Sequence, residues 1–213
     1  TQGDAPIHYT LDGSEPTAAS PRYTGPVEIG KSARFRATAL REGGENASYS
    51  REFAFSKSTG RPAVLNTKPN DSYTFEGASL LVDGYHSRPV FTSGAWLGYL
   101  DEPLDVTIDM GGEQSYRSVE LETLAEKGDW IFPPSSVTVW VSDNGTDFTE
   151  VASVTVPEAK AGDADGIGRY RMQFPETSAR YLKVVAQNAA AIPAWHPGAG
   201  SKGFLFVDEI VVE

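Results

Sequence analysis

Several kinds of side chain in this sequence could do chemistry, and their spacing decides which of them do. Adjacent carboxylates stand at Asp101-Glu102 and at Asp208-Glu209. Hydrolysis of a glycosidic linkage generally needs two carboxyl groups converging on one bond. Asp208 and Glu209 fall in a run with the alternation of a strand. A strand sends successive side chains to opposite faces and keeps such a pair from sharing a substrate. Asp101 and Glu102 precede Pro103 and read as solvated turn residues. The three histidines, His8, His86 and His196, are too scattered for a histidine metal motif. No Gly-x-Ser-x-Gly nucleophile elbow occurs. The stretch Gly198–Gly203 has the glycine spacing of a dinucleotide loop, but it enters a strand instead of leaving one. No helix follows whose N-terminus could hold a pyrophosphate.

What remains is recognition. A sugar presents an apolar C–H face and a ring of hydroxyls, which a protein meets with an aromatic plane and fixed polar groups. Candidate platforms are Trp96, Tyr99, Trp130 and Trp195; candidate polar partners are His86, Arg88, Asn188, His196 and Lys202. The segment Trp195-His196-Pro197-Gly198 suits this role best. It is too rich in Pro and Gly for a regular element, yet carries a large aromatic and a donor/acceptor. An exposed Trp is costly unless it packs or binds. Trp140 sits mid-strand and reads as packing. The competing reading for every Trp is burial in the core or under a loop.

The elements that must position these residues are strands. Ile7, Tyr9 and Leu11 alternate with polar neighbours, as do Leu104, Val106, Ile108 and Met110, then Val137, Val139 and Val141, then Tyr170, Met172 and Phe174. Period-two alternation bounded by Gly, Pro, Asn and Asp predicts half-buried antiparallel strands. Arg180–Ala186 and Gly203–Val212 read as strands with both faces partly buried. Asp143-Asn144-Gly145 predicts a hairpin turn between Val137–Ser142 and Phe148–Val156. The best helical stretch, Ala186 to Ile192, is broken by Pro193.

The 213 residues suit one or two domains. Ser56-Lys57-Ser58-Thr59-Gly60-Arg61-Pro62 interrupts the pattern and sets a boundary, giving domains 1–58 and 59–213. The first has strand candidates at 7–11, 26–29, 34–40 and 49–55 and is short for a sandwich, so it is expected to lack its first strands. The second is long enough for an eight-stranded jelly roll. With 18 basic and 29 acidic residues the formal net charge is −11. That excludes nucleic acid as a partner and disfavours anionic membranes. Zero Cys removes disulfides, thiolate zinc sites and cysteine nucleophiles. No apolar run approaches the roughly 20 residues of a membrane-spanning helix, so no membrane insertion is expected. The start at Thr1 without Met suggests a mature form or an excised piece.

Two segments resemble known families. Tyr9-Thr10-Leu11-Asp12-Gly13-Ser14-Glu15-Pro16-Thr17, followed by Ser20–Val27, resembles the C-terminal immunoglobulin-like domain of chitobiases and β-hexosaminidases. The second piece resembles the coagulation-factor type C, or discoidin, domain, which overlaps carbohydrate-binding module family 32. The matching elements include Leu81-Val82-Asp83-Gly84, Gly94–Tyr99, Leu104–Gly111, Trp130-Ile131-Phe132-Pro133-Pro134, Arg180–Val184 and Phe206–Ile210. The order of the two resembles the C-terminal region of bacterial glycoside hydrolase family 20 β-N-acetylhexosaminidases.

The resemblance implies an all-β chain, a truncated immunoglobulin-like sandwich followed by a galactose-binding-like jelly roll. It implies non-catalytic modules of an exported enzyme, periplasmic, cell-surface or secreted. The partners would be an upstream catalytic domain and glycans of the galactose or N-acetylhexosamine class. A catalytic barrel takes about 250 residues and helices that this chain lacks. The expected glycan contacts are His86, Arg88, Trp130, Asn188, Trp195 and His196; the resemblance places His86 and Arg88 in an appropriate loop, and the others come from the residues themselves. The family's second Arg position reads Ala125–Trp130 here, without an Arg. A structural Ca²⁺ is implied at Asp83 and Glu209, with Thr92 or Ser93 as further ligands; the alternative is that Asp83 caps its turn and Glu209 pairs with an Arg. Two other roles stay open: modules that brace a catalytic barrel, and a cell-surface adhesion module.

Overall fold

The computed structural model describes residues 5–41 and 46–213. The chain divides into two compact units, Thr1–Phe55 and Ser56–Glu213. The break falls a few residues before the expected 58/59 boundary, because the small polar linker is stitched to the last strand of the second unit. Lys57 N–H donates to the Val212 carbonyl at 3.0 Å, and the Ser58 hydroxyl to that of Ile210 at 2.5 Å.

In the first unit, β1 (Ile7–Thr10), β2 (Ala33–Ala39) and β3 (Ala47–Phe53) form a three-stranded antiparallel sheet in chain order. Alternation brings Tyr9, Phe35 and Tyr49 onto one face, with successive ring centroids 5.9 and 6.4 Å apart. After β1, Asp12 accepts a hydrogen bond from Ser14 N–H at 2.9 Å across Gly13, whose φ of +84° only glycine adopts without strain. Residues 26–29, expected as a strand, are irregular. Pro26 has no N–H to offer a ladder.

The second unit is a seven-stranded sheet folded into two layers. It contains β4 (Ala63–Leu65), β5 (Leu97–Tyr99), β6 (Leu104–Ala125), β7 (Ser136–Ser142), β8 (Thr149–Thr155), β9 (Gly166–Gln187) and β10 (Leu205–Val212). The order is β5-β10-β6-β9-β7-β8, with β4 on β6. Sequence patterning suggested separate strands at 170–174 and 180–186; they are parts of one 22-residue β9 paired with an equally long β6. Each long strand serves two sets of neighbours. Leu104–Asp109 of β6 lie between β4 and the end of β9, whereas the part from Gln114 onward pairs with the start of β9 and with β10. The register breaks between Asp109 and Gln114, where Gly111 takes φ +79°. A break of this kind bends a strand.

The bend closes the sheet on one core. Leu104, Val106, Ile108 and Met110 from the first half of β6 meet Val119 and Leu121 from its second half, with Val139 of β7, Leu182 and Val184 of β9 and Ile210 of β10. Burying each such side chain stabilises by about 1.5–3 kcal/mol. The alternate positions stay at the surface in ion pairs, Asp105 with Lys183 at 3.1 Å and Asp109 with Arg180 at 2.8 Å. Between β7 and β8 the expected turn forms: Asn144 Oδ1 accepts from the N–H groups of Thr146 and Asp147 at 2.9 Å.

The register places Ala125 against Gly166 and Leu124 against Phe206. The end of β6 therefore meets the starts of β9 and β10. The segments 126–135, 157–165 and 188–204 gather at this end, and Trp96 ties the loop after Asp83 to it by packing on Leu124, Ile131 and Phe206.

Candidate functional site

Two groups of expected site residues come out of this loop end. The first is aromatic. A single 3₁₀ turn, Lys127–Asp129, follows β6 and delivers Trp130 in the left-handed region, with φ 64° and ψ 27°. A bulky residue there is strained, a cost found where surroundings enforce it and function uses it. Lys127 enforces it. Its side chain is buried, its ammonium pairs with Asp165 and donates to the Asp163 carbonyl at 2.9 Å, and its carbonyl accepts the Trp130 N–H at 3.0 Å.

His196 sits at the centre. Its Nδ1 accepts from Gly198 N–H at 3.1 Å, so Nε2 carries the proton and donates to the Lys127 carbonyl at 2.9 Å. Its ring meets Trp130 edge-on at 6.1 Å and Trp195 at 5.5 Å, both near-perpendicular. Phe132 lies beneath, 5.5 Å from His196 and 6.4 Å from Trp195. The chain passes so close at Gly198 that a Cβ there would come within 2.8 Å of the Trp130 ring. Trp195 is anchored by its Nε1–H donating to the Ala159 carbonyl at 2.9 Å. Held this way, Trp130 and Trp195 remain 42% and 40% exposed. Two indoles fixed on their inner sides and open on their outer sides form an apolar platform.

The second group is charged. The loop after Asp83 folds over the edges of β6, β9 and β10. His86 Nδ1 contacts Glu122 Oε2 at 2.9 Å, and Arg169 donates to the same oxygen at 2.8 Å. The Glu122 contact raises the His86 pKa. Sequence reasoning sent Asp208 and Glu209 to opposite faces. The register of β10 slips between Val207 and Ile210, and this bulge turns both carboxylates toward one loop. Asp208 accepts Ser87 N–H at 2.7 Å, and Glu209 accepts Gly84 N–H at 3.2 Å. Both are fully buried, so neither can reach a substrate as an acid–base pair. Burial, reinforced by Glu122 and Asp83, pushes the Asp208 carboxyl up to about 8. Burial, reinforced by Asp83 and Asp208, pushes Glu209 to about 10. Oε1 of Glu122 and Oε1 of Glu209 are buried with no hydrogen-bond partner. Asp83 accepts the Tyr85 N–H at 2.7 Å.

The side chains of this group are oxygen donors, the kind a hard cation takes. Hard cations take carboxylate and carbonyl oxygens, and buried anionic oxygens need a positive partner. Among the described residues no three His, Asp or Glu side chains form a metal-holding cluster. Asp83 and Glu209 are the side chains that would hold a cation here.

The remaining expected residues fall elsewhere. Asn188, expected to contact a glycan, acts as a clasp: its Nδ2 donates to the carbonyls of Tyr99 and Leu100 at 3.0 and 3.3 Å, and its Oδ1 is buried. His196, read as a polar ligand partner, is buried with both nitrogens engaged, so its part is to support the two indoles. Trp96 and Tyr99 are fully buried and belong to the core. The Arg88 carbonyl accepts Trp96 Nε1–H at 3.0 Å, and the residue itself is exposed. Lys202 pairs with Asp101 at 2.6 Å, and Glu102 accepts Lys68 N–H, as suits turn residues. The contacts of His86 lie in the charged group and those of Trp130, Trp195 and His196 in the aromatic one. Lys127, Phe132 and Gly198 were not singled out as site residues, although Gly198 closes the Trp195–Gly198 segment that the sequence marked and Phe132 lies in the Trp130–Pro134 element.

The second unit is thus a jelly roll that carries two half-exposed indoles on its loop end and a buried acidic group beside them. Residues 66–202, more than half of the chain, match the F5/8 type C domain, and the chain belongs to that family. Residues 1–53 match the family described as Fn3 associated. Among solved structures, chitosan-binding module 1 of a chitosanase/glucanase from Paenibacillus sp. IK-5 is 18% identical, with a TM-score of 0.48, covering 74% of this chain and 98% of that one. CpGH89CBM32-5 from Clostridium perfringens, in complex with GalNAc-β-1,3-galactose, is 16% identical, with a TM-score of 0.46, covering 71% and 93%. The comparison with curated proteins found no match.

Proposed function

We propose that Ser56–Glu213 is a non-catalytic carbohydrate-binding module whose platform is Trp130 and Trp195. The observation that carries this is the pair of half-exposed indoles locked from behind, one of them on a strained backbone. An indole face removes the C–H face of a sugar from water, while exposed Asp129, next to Trp130, offers an acceptor for hydroxyls. Isothermal titration against a panel of hexoses and N-acetylhexosamines tests it. Trp130→Ala and Trp195→Ala each lower affinity by about 2 kcal/mol, roughly thirtyfold. Absence of binding to every sugar in the panel overturns the reading.

The same reading makes the module an accessory of an exported glycoside hydrolase of the β-N-acetylhexosaminidase class. It holds substrate near a tethered catalytic domain and raises the effective concentration there. Support comes from the Tyr9–Val27 resemblance in the first unit. We also propose a structural Ca²⁺ at Asp83 and Glu209, which neutralises the buried carboxylates and fastens the loop after Asp83 to β10. Calorimetric titration of chelator-treated protein with Ca²⁺ checks it, and Glu209→Gln abolishes the heat of binding.

A further inference from the structure

Beside Trp195 lies a groove of about 390 Å³, within the size range of small-molecule sites. Its floor is apolar, with Phe132, Pro134 and Ile192 all buried. One wall is the run Ala189-Ala190-Ala191, whose short side chains leave the groove open. Ser135 and Glu158 are the polar side chains of the lining, and no cation is among the residues that form it. The groove is continuous with the indole platform: Phe132 lies under Trp195, and Ala159 of the opposite wall holds the Trp195 N–H.

We infer that this groove is a second sugar subsite, so that the module grips at least two rings of a linear, uncharged oligosaccharide. The inference rests on the platform reading above. A ring stacked on Trp195 directs its glycosidic neighbour along the surface, and this groove adjoins Trp195 through Phe132 and Ala159. Proline and alanine walls match the C–H face of a second ring and the methyl of an acetamido group. Ser135 and the Glu158 carboxylate accept from hydroxyl or amide N–H. A uronic acid is excluded on charge. It would bring a carboxylate to a wall that carries Glu158 and no Lys or Arg, in a chain of net charge −11.

Calorimetric titration with N-acetylglucosamine and its β-1,4-linked dimer and trimer tests this, with an oligogalacturonate trimer as the charged probe. The dimer binds at least about tenfold more tightly than the monomer. Ala190→Trp, on the exposed rim, erases that gain and leaves monomer affinity within about twofold. In the unmodified protein, the methyl resonances of Ala190 and Ala191 shift with dimer and not with monomer, a readout independent of any variant's folding. Equal affinity for monomer and dimer overturns the subsite and leaves the indole platform standing. Tighter binding of the galacturonate trimer overturns the uncharged class. Failure of every neutral sugar to bind overturns both this inference and the platform.

Discussion

Trp130 shows how one residue carries both strain and function. Its φ of 64° would suit glycine, yet the position is occupied by an exposed indole. Trp130→Gly is therefore expected to be about 1 kcal/mol more stable than Trp130→Ala, since only the alanine retains the left-handed penalty. Both lose sugar affinity. Chemical denaturation paired with calorimetry separates the two effects; equal stability of the variants would show that the backbone is not strained. Asp208 and Glu209 make the pH prediction. Their folded pKa values, about 8 and about 10, lie above the ordinary carboxylate range, and His86 is also raised. From the ordinary carboxylate range up to those raised values the folded chain binds more protons than the unfolded chain, so stability falls as pH rises. In chelator, the melting temperature is expected to drop steadily from pH 5 to pH 8. Saturating Ca²⁺ flattens the slope, because a bound cation replaces the protons. A slope unaffected by Ca²⁺ would argue against the Asp83–Glu209 site.

At the scale of elements, close approaches fix the platform. Gly198 passes against the Trp130 ring, and Gly98 of β5 is wedged between Phe206 and Tyr73, where a Cβ would meet both at 2.9 Å. Gly198→Ala pushes the indole out of place and is expected to cut sugar affinity by about fivefold or more, with little effect on the sandwich. Gly98→Ala instead overpacks the strand and costs about 1–3 kcal/mol, while the platform keeps its affinity. Thermal melts with titrations distinguish the pair, and the reverse pattern would contradict the assignment. The 22-residue β6 and β9 were partly legible. Both parts of β9 read as strands, and so did Leu104–Met110 of β6, but the remainder of β6 did not, because the bend near Gly111 breaks the period and its partners are distant in sequence.

For the whole molecule, the two units differ in what they can bury. The core of Ser56–Glu213 is complete within itself, drawing Leu104, Val139, Val184 and Ile210 from four strands. Expressed alone, this segment is expected to fold cooperatively and bind sugars with affinity within about twofold of the full chain. The three-stranded sheet of the first unit is near the size at which a domain is marginal. Alone it is expected to show no cooperative melt by calorimetry, and a sharp transition from that segment would refute the expectation.

Local physics made part of this protein readable from its residues. Alternation marked the core-facing side chains of Leu104–Met110 in β6, of β7 and of Tyr170–Phe174 in β9, because an unbroken strand has a period of two. Asn144-Gly145 named its own turn, and the exposed loop marked Trp195. The roles of His196 and Asn188, the burial of Trp96 and the joint aim of Asp208 and Glu209 were decided by tertiary structure alone. Each depends on a partner distant in sequence: Lys127 for His196, Tyr99 for Asn188, Ile131 for Trp96, and Gly84 and Ser87 for the two carboxylates. Residue type states what a side chain can bind; only the folded chain states what has already bound it.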